Sequence, residues 1–123
     1  MTIDPSNPDH IFVFGSNTEG RHGLGAALYA RQNYGAIYGK ASGLQGRSYA
    51  IITKNLKLGK RSVELKTIWW QLVRLSVYAR SHQHLTFFIT KIGTNHAGYT
   101  EAEIKEQMDK VAWPENCILP DWK

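Results

Sequence analysis

Residues 11–34 read IFVFGSNTEGRHGLGAALYARQNY, and the rest of the chain is organised around this stretch. The unbroken apolar run at residues 11–14 is rich in β-forming residues and predicts a strand buried on both faces, as in a parallel sheet. Gly15 ends this run, and a polar loop with three further glycines follows at residues 16–25. From Ala26 onward most residues are good helix formers. The stretch therefore predicts a strand, a polar loop and a helix.

The glycine-rich loop of this unit has the position of a ligand site. In open α/β sheets, ligands bind beyond the carboxyl ends of the strands, close to helix N-termini, whose free N–H groups attract phosphate. Gly23 and Gly25 carry no Cβ and would let a phosphate approach the backbone. The sequence GRHGLG is neither a GxGxxG fingerprint nor a P-loop. Two interpretations stand: an anion-binding loop, and an ordinary glycine-rich turn between strand and helix.

Length and composition predict a single domain spanning residues 1–123, with 42% hydrophobic and 20% charged residues. No apolar run is long enough to cross a membrane, and the first ten residues lack the features of a signal peptide. We therefore expect a cytoplasmic protein. The single cysteine, Cys117, excludes an internal disulfide and a cysteine-based zinc cluster.

The net charge of +5 is compatible with an anionic ligand or with nucleic acid, and equally with a mildly basic protein of another kind. Lys54, Lys57, Lys60 and Arg61 form a basic cluster within eight residues. No RNA-recognition motif or helix-turn-helix pattern accompanies them, so we do not expect nucleic acid as the partner.

Strand and helix patterns alternate along the remaining chain. Such alternation predicts an α/β fold with a mainly parallel sheet that is covered by helices on both faces. The segment between the first helix and the second strand is rich in glycine and is predicted as an ordered loop. The predicted strands are residues 48–53, 85–90 and 116–119, the loop is residues 34–46, and the helices are residues 62–80 and a segment capped by Thr100 and Glu103.

Helical spacing also predicts which side chains are buried. Leu24 and Leu28 share one face of the first helix and are expected to contact the core. Ser62 is the expected N-cap of the longest helix. Trp69 and Trp70 fit either a buried helix face or a stacking platform for a base, and the strict helical spacing of their neighbours favours the buried face.

Candidate catalytic groups are few. His82 and His84 would point to one side of an extended segment, but no third ligand stands near, so no metal site is expected. Cys117 lies inside an apolar run, which favours a buried, inert thiol. Glu19 is the only acid within the first loop. This deficit of acids disfavours acid–base hydrolysis and favours anion binding.

Two lysines lie where predicted strands end. Lys54 follows the second strand and Lys91 the third, and a lysine at such a position often only solvates the strand terminus. Their presence at one sheet edge together with glycine-rich loops favours pairing with phosphate.

Three ordered blocks of the chain resemble a known family. The blocks are FVFGSNTEGRHGLGAAL at residues 12–28, YAIITKN at residues 49–55 and FFITKIGTNHAGYTEAEI at residues 87–104. Together they resemble a minimal macrodomain, the ADP-ribose-binding fold, and are most similar to short macrodomain-like proteins encoded by phages and bacteria. The resemblance implies a three-layer α/β sandwich with a mainly parallel central sheet. It also implies a bound ADP-ribose or related NAD-derived nucleotide and no cofactor.

The resemblance also implies positions for the binding residues. Asn17 falls where macrodomains hold a polar residue near the distal ribose, and two glycine loops would enclose the diphosphate with backbone N–H groups. The first loop is centred on Leu24 and the second on residues 93–98. The expected ligand-binding residues are Gly15, Ser16, Asn17, Glu19, His22, Gly23, Leu24, Gly25, Lys54, Lys91, Gly93, Thr94, Asn95, His96 and Gly98.

A hydrolytic branch of macrodomains removes ADP-ribose from acidic side chains with a lysine and an aspartate. Lys54 resembles that lysine, whereas the aspartate position falls near Ala97, which cannot act as acid or base. Asp9 is the nearest stand-in for the adenine-contacting aspartate of many macrodomains.

Three hypotheses follow. The first is a module that binds or sequesters an ADP-ribose-type nucleotide. The second is a glycohydrolase with Lys54 as the catalytic residue and Glu19 or His96 as its partner, so the enzyme question stays open. The third is nucleic-acid binding through the basic cluster. A homo-oligomer is compatible with all three.

Overall fold

The computed structural model describes residues 1–122 and consists of a five-stranded sheet with three helices. The strand order is β2-β3-β1-β4-β5, and β1 pairs in parallel with both β3 and β4. The mainly parallel α/β sheet expected from the sequence is confirmed. The elements are β1 His10–Asn17, α1 Gly25–Asn33, β2 Gly43–Gln45, β3 Ser48–Lys54, α2 Leu65–Arg80, β4 Thr86–Ile89, α3 Glu101–Asp109 and β5 Cys117–Ile118.

The central strand β1 separates two apolar clusters. Ile11 and Val13 pack into one cluster with residues of α2 and α3, whereas Phe12 and Phe14 pack into the other with residues of α1. Because successive side chains of a strand point to opposite faces, a run of four buried residues supplies both faces of the sheet. Helices thus cover the sheet on both sides, as the sequence predicts for a three-layer sandwich.

The short strand β2 lies within the segment that the sequence predicts as a loop. Its residues Gly43, Leu44 and Gln45 pair antiparallel with Ala50, Tyr49 and Ser48 of β3. Three residues that begin with a glycine at a φ of 84° carry no strand pattern of their own. The prediction of a loop here is wrong because β3 supplies the pairing.

The N-cap predicted for α2 is also wrong. This helix begins at Leu65 with Glu64 as N-cap and no side-chain cap hydrogen bond. The Ser62 hydroxyl instead accepts a hydrogen bond from the Asn55 N–H at 2.8 Å and thereby closes the loop before the helix. The capping box of α3 is confirmed, because Thr100 Oγ1 accepts from the Glu103 N–H and Glu103 Oε1 accepts from the Thr100 N–H.

Two apolar side chains predicted to be buried are exposed instead. Leu24 is 66% exposed because its backbone is extended, at φ −143°, so its side chain does not continue the buried face of α1. Trp70 is 56% exposed. It lies two residues beyond the buried Ile68, a rotation of about 200° around the helix, so the buried face of α2 excludes it.

Among residues 1–122, no helix combines the length and the apolar character needed to cross a membrane.

Candidate functional site

Three loops meet at the carboxyl ends of the parallel strands and surround a cleft of about 480 Å³. Loop 1 is residues 18–24 after β1, loop 2 is residues 90–100 after β4, and loop 3 is residues 55–64 after β3. A cleft of this size at the strand ends has the dimensions and position of a ligand site in an open α/β sheet.

Most of the residues that the sequence singles out converge on this cleft, although they come from three separate segments. Ten of them line it: Gly15, Ser16, Asn17, Gly23, Leu24, Lys54, Lys91, Gly93, Asn95 and His96. The lining also contains Ala97, which belongs to the expected second loop at residues 93–98, and residues that the sequence analysis did not select, namely Arg21, Ala26, Ala27, Tyr38, Thr53, Leu56, Thr90 and Ile92. Several of these adjoin selected residues on a strand end or a loop, which is a signal that could have identified them. Tyr38 offers no such local signal, because it comes from a segment whose path depends on tertiary contacts.

Five selected residues do not line the cleft: Glu19, His22, Gly25, Thr94 and Gly98. Glu19 forms an ion pair with Arg21 at 3.3 Å, and the Thr94 hydroxyl donates to the Lys91 carbonyl at 2.7 Å. Gly25 opens α1, and Gly98 closes loop 2 by donating its N–H to the Asn95 carbonyl at 3.1 Å. These residues support the loops rather than face the cavity.

His22 belongs to loop 1, and its side chain is fully buried, at 0% exposure. Its Nε2 lies 3.3 Å from Ser16 Oγ, and its ring packs edge-on against Phe14 with centroids 5.2 Å apart. Nδ1 has no hydrogen-bond partner among the described residues. Loss of solvation on burial lowers the pKa of His22. His22 therefore anchors loop 1 as a neutral ring and does not reach a ligand directly.

The amide of Asn17 also serves loop 1. Its Nδ2 donates to the Arg21 carbonyl at 3.0 Å, and its Oδ1 accepts from the N–H groups of Arg21 and Glu19 at 2.9 and 3.3 Å. Asn17 thus holds the loop in a tight turn at the edge of the cleft.

Two glycines around the cleft lie close to neighbouring side chains. A Cβ on Gly15 would lie 3.1 Å from Thr53 Oγ1, and a Cβ on Gly93 would lie 3.0 Å from Ile104 Cδ1. Gly93 also has a φ of 73°, a conformation that other residues rarely adopt. A Cβ on Gly23, in contrast, would meet nothing within 4 Å. A side chain at Gly15 or Gly93 would therefore require its neighbour to shift, whereas Gly23 leaves open space at the lining.

The N-terminus of α1 contributes unpaired donors. Its N-cap, Leu24, makes no side-chain cap hydrogen bond, and the first turn contains no acidic residue. Ala26 and Ala27 of that turn line the cleft. The N–H groups of a first helical turn lack partners within the helix and carry the positive end of its dipole. This end of the cleft is therefore suited to an anion.

The charged side chains of the lining are all basic. Lys91 Nζ lies 3.3 Å from Glu101 Oε1 and 5.7 Å from the centroid of the Trp122 ring, and Arg21 pairs with Glu19. Lys54 forms no ion pair within residues 1–122, and no Asp or Glu lines the cleft. Lys54 is thus the cleft cation whose charge is least compensated.

The candidate metal ligand His82 and the candidate nucleophile Cys117 both lie in packed surroundings away from the cleft lining. His82 stacks on Tyr78 with centroids 3.9 Å apart, and its Nδ1 lies 2.7 Å from the Tyr78 carbonyl. Within residues 1–122, no group of three His, Cys, Asp or Glu side chains is arranged to hold a metal ion. Burial raises the pKa of Cys117 to about 12, so its thiol is protonated and inert.

The basic cluster is partly neutralised. The Arg61 guanidinium donates to both Glu103 carboxylate oxygens at 2.8 Å and lies over the Tyr99 ring, 4.7 Å from its centroid. This ion pair holds the pKa of Glu103 down at about 2. Arg61 therefore joins loop 3 to α3. The uncompensated positive charge of the basic cluster is carried by its lysines.

Comparison with known proteins gives a match at the level of the fold. No protein-family profile matches the chain, and no curated protein sequence matches it. Among solved structures, the macrodomain of Mycobacterium tuberculosis DarG superimposes with a TM-score of 0.59. The match covers 96% of this chain and 92% of that chain at 14% sequence identity. This agreement over nearly the whole length shows that the chain has the macrodomain fold.

Proposed function

We propose that the cleft binds ADP-ribose or a related NAD-derived nucleotide and that the protein acts as a binding or sequestering module. The observation that carries the proposal is a lining that combines two glycine-rich loops with basic side chains and contains no carboxylate. The macrodomain fold supports the same ligand class. A nucleotide with two phosphates needs N–H donors and positive charge, and both are concentrated at this site.

In this proposal the diphosphate lies between loop 1 and loop 2. The first turn of α1 and the backbone around Gly93 supply N–H donors, and Lys54 supplies the charge. Gly23 leaves room for the phosphate because a Cβ there would have no neighbour within 4 Å. Lys91 contributes less, since its ammonium group already contacts Glu101.

The alternative is an ADP-ribosyl glycohydrolase that uses Lys54. The position of Lys54 on the lining and its lack of an ion-pair partner within residues 1–122 favour it as a catalytic group. Of the two candidate partners, His96 lines the cleft and Glu19 does not. Ala97 is part of the lining where the hydrolytic branch would have an aspartate. The lack of a carboxylate in the lining therefore supports binding over hydrolysis.

Thermal shift and calorimetric titration with ADP-ribose test the proposal. A ligand at one hundred times its dissociation constant stabilises the fold by about 2.7 kcal/mol, which raises Tm by several degrees. Gly23→Glu should abolish this shift, because it adds a carboxylate at the open part of the lining without strain. Gln32→Glu is the matched control, since it adds the same charge at the far end of α1 and should bind normally. Absence of a shift with ADP-ribose, cyclic ADP-ribose, NAD and AMP would refute the proposal.

Incubation with an ADP-ribosylated protein separates the two functions. A binding module should retain the modified protein and release no free ADP-ribose. Release that disappears in Lys54→Ala and persists in Lys57→Ala would establish the hydrolase instead, because Lys57 lies three residues further along, in loop 3, and outside the lining. A thermal shift only with single-stranded DNA, lost steeply as salt is raised, would favour the nucleic-acid hypothesis.

A further inference from the structure

Tyr38 reaches the cleft from the segment between α1 and β2, and that segment is held by a buried amide. Tyr38 is 56% exposed and belongs to the lining. The Ile37 N–H donates to Gln45 Oε1 at 2.8 Å, and Gln45 Nε2 donates to the Lys40 carbonyl at 3.0 Å. Gln45 itself is buried. These bonds on either side of Tyr38 determine where its backbone lies.

The same segment is joined to loop 1. The Gly39 N–H donates to the Gly20 carbonyl at 2.8 Å. The two backbones are so close that a Cβ on Gly20 would lie 2.5 Å from the Gly39 carbonyl carbon. Tyr38 and loop 1 therefore form one continuous wall of the cleft.

The ring of Tyr38 is supported by α1. The guanidinium carbon of Arg31 lies 5.4 Å from the ring centroid, and Arg31 does not line the cleft. Leu24, the N-cap of the same helix, does line it. An exposed aromatic ring that is held by a cation on a cleft lining is a surface on which a planar ring can stack.

This wall has few free side-chain groups that could form hydrogen bonds with the edge of a base. The Asn17 amide is already bonded to the backbone of loop 1, and Arg21 is paired with Glu19. No carboxylate of the lining is available to accept from an exocyclic amine. We propose that the base of the nucleotide ligand stacks on Tyr38 and that the cleft binds nucleoside diphosphates with little discrimination among bases. This inference rests on the proposed function and specifies its ligand class.

Calorimetric titration of matched variants tests the role of Tyr38. Tyr38→Ala should weaken ADP-ribose binding about tenfold, the scale of losing one base-stacking aromatic, whereas Tyr38→Phe should bind within about twofold of the unmodified protein. Ile37→Ala is the control, because Ile37 is a similarly exposed neighbour at 52% but does not line the cleft. Inorganic pyrophosphate, which has no base, should bind Tyr38→Ala and the unmodified protein equally.

Titration with ADP, GDP, CDP and UDP tests whether the cleft discriminates little among bases. Their dissociation constants should agree within about fivefold, since stacking is tolerant of base identity. An ADP preference of more than about thirtyfold, or equal ADP-ribose binding by Tyr38→Ala and Ile37→Ala, would overturn this inference while the proposed function stands. If the unmodified protein binds neither ADP-ribose nor any nucleoside diphosphate, both are overturned.

Discussion

Lys54 ends β3 and Lys91 follows β4, the two strands on either side of β1, yet their charges have different surroundings. Lys91 is compensated by Glu101 and lies near the Trp122 ring, whereas Lys54 forms no ion pair with any described residue. An ammonium group that is already paired gains less from a phosphate than one that is paired only with water. Sequence position alone makes these two residues look equivalent, and their partners distinguish them.

We predict that Lys54→Ala weakens ADP-ribose binding by at least about tenfold, the scale of a lost hydrogen bond to a charged group. Lys91→Ala should weaken it by about threefold or less, because Glu101 already compensates that charge. Calorimetric titration of the two variants at one salt concentration measures the difference. An equal loss in both would contradict the assignment of Lys54 as the dominant cation.

His22 makes stability depend on pH. Its pKa is lowered by burial, so the imidazole binds a proton more weakly in the folded state than in the unfolded chain. The stabilisation is complete above the unfolded value of about 6.5 and is lost as the pH falls below it, with a slope of at most about 1.4 kcal/mol per pH unit.

The corresponding measurement is the free energy of unfolding between pH 5 and pH 8. His22→Phe should show a weaker loss of stability at low pH than the unmodified protein. Ser16→Ala should keep the full pH dependence, because it removes the partner of Nε2 and retains the titrating ring. Identical pH profiles for His22→Phe and the unmodified protein would contradict the role of His22.

At the scale of elements, the two glycine loops differ in why they contain glycine. Gly93 turns loop 2 with a positive φ, which favours glycine, and a Cβ there would also press against Ile104 of α3. Gly23 in loop 1 has open space around it and is not among the positive-φ glycines. Gly93 therefore serves the fold, and Gly23 serves access to the cleft.

Alanine substitution should separate these roles. Gly93→Ala should lower the free energy of unfolding by more than about 1 kcal/mol, since it combines strain with a tight contact. Gly23→Ala should change it by less than about 0.5 kcal/mol in the destabilising direction, or raise it slightly through loss of entropy in the unfolded chain. Chemical denaturation of both variants provides the measurement, and equal effects would show that the contacts at Gly93 do not limit stability.

At the scale of the whole molecule, the site exists because the sheet brings three strand ends together. The carboxyl ends of β3, β1 and β4 are adjacent in the strand order, so loops that are far apart in sequence surround one cavity. A bound nucleotide would then bridge all three loops and order them together.

We predict that ADP-ribose slows amide hydrogen exchange in residues 23–27 and 93–97 at the same time. Exchange in residues 74–80, at the end of α2 remote from the strand ends that form the cleft, should not change. Mass spectrometry of exchange with and without ligand measures both regions. Protection confined to one loop would contradict binding between them.

Much of the fold could be predicted because its signals are local. The buried run of β1, the capping box of α3 and the alternation of strands and helices each depend on residues close together in sequence, and they indicate a mainly parallel α/β sheet. Strand β2 and the start of α2 could not be predicted in this way. Pairing with β3 creates the first, and the loop that engages Ser62 determines the second.

The sequence by itself determined which residues follow the strand ends, because parallel strands bring their carboxyl ends to one edge. Together with the family resemblance, this singled out ten of the residues that line the cleft. Only the tertiary structure decided that the His22 side chain is buried, that Lys91 is paired, and that Tyr38 forms a wall of the cleft. Each of these depends on contacts between segments distant in sequence. Local pattern carries the periodicity of an element, whereas burial and charge pairing are set by what other elements bring alongside it.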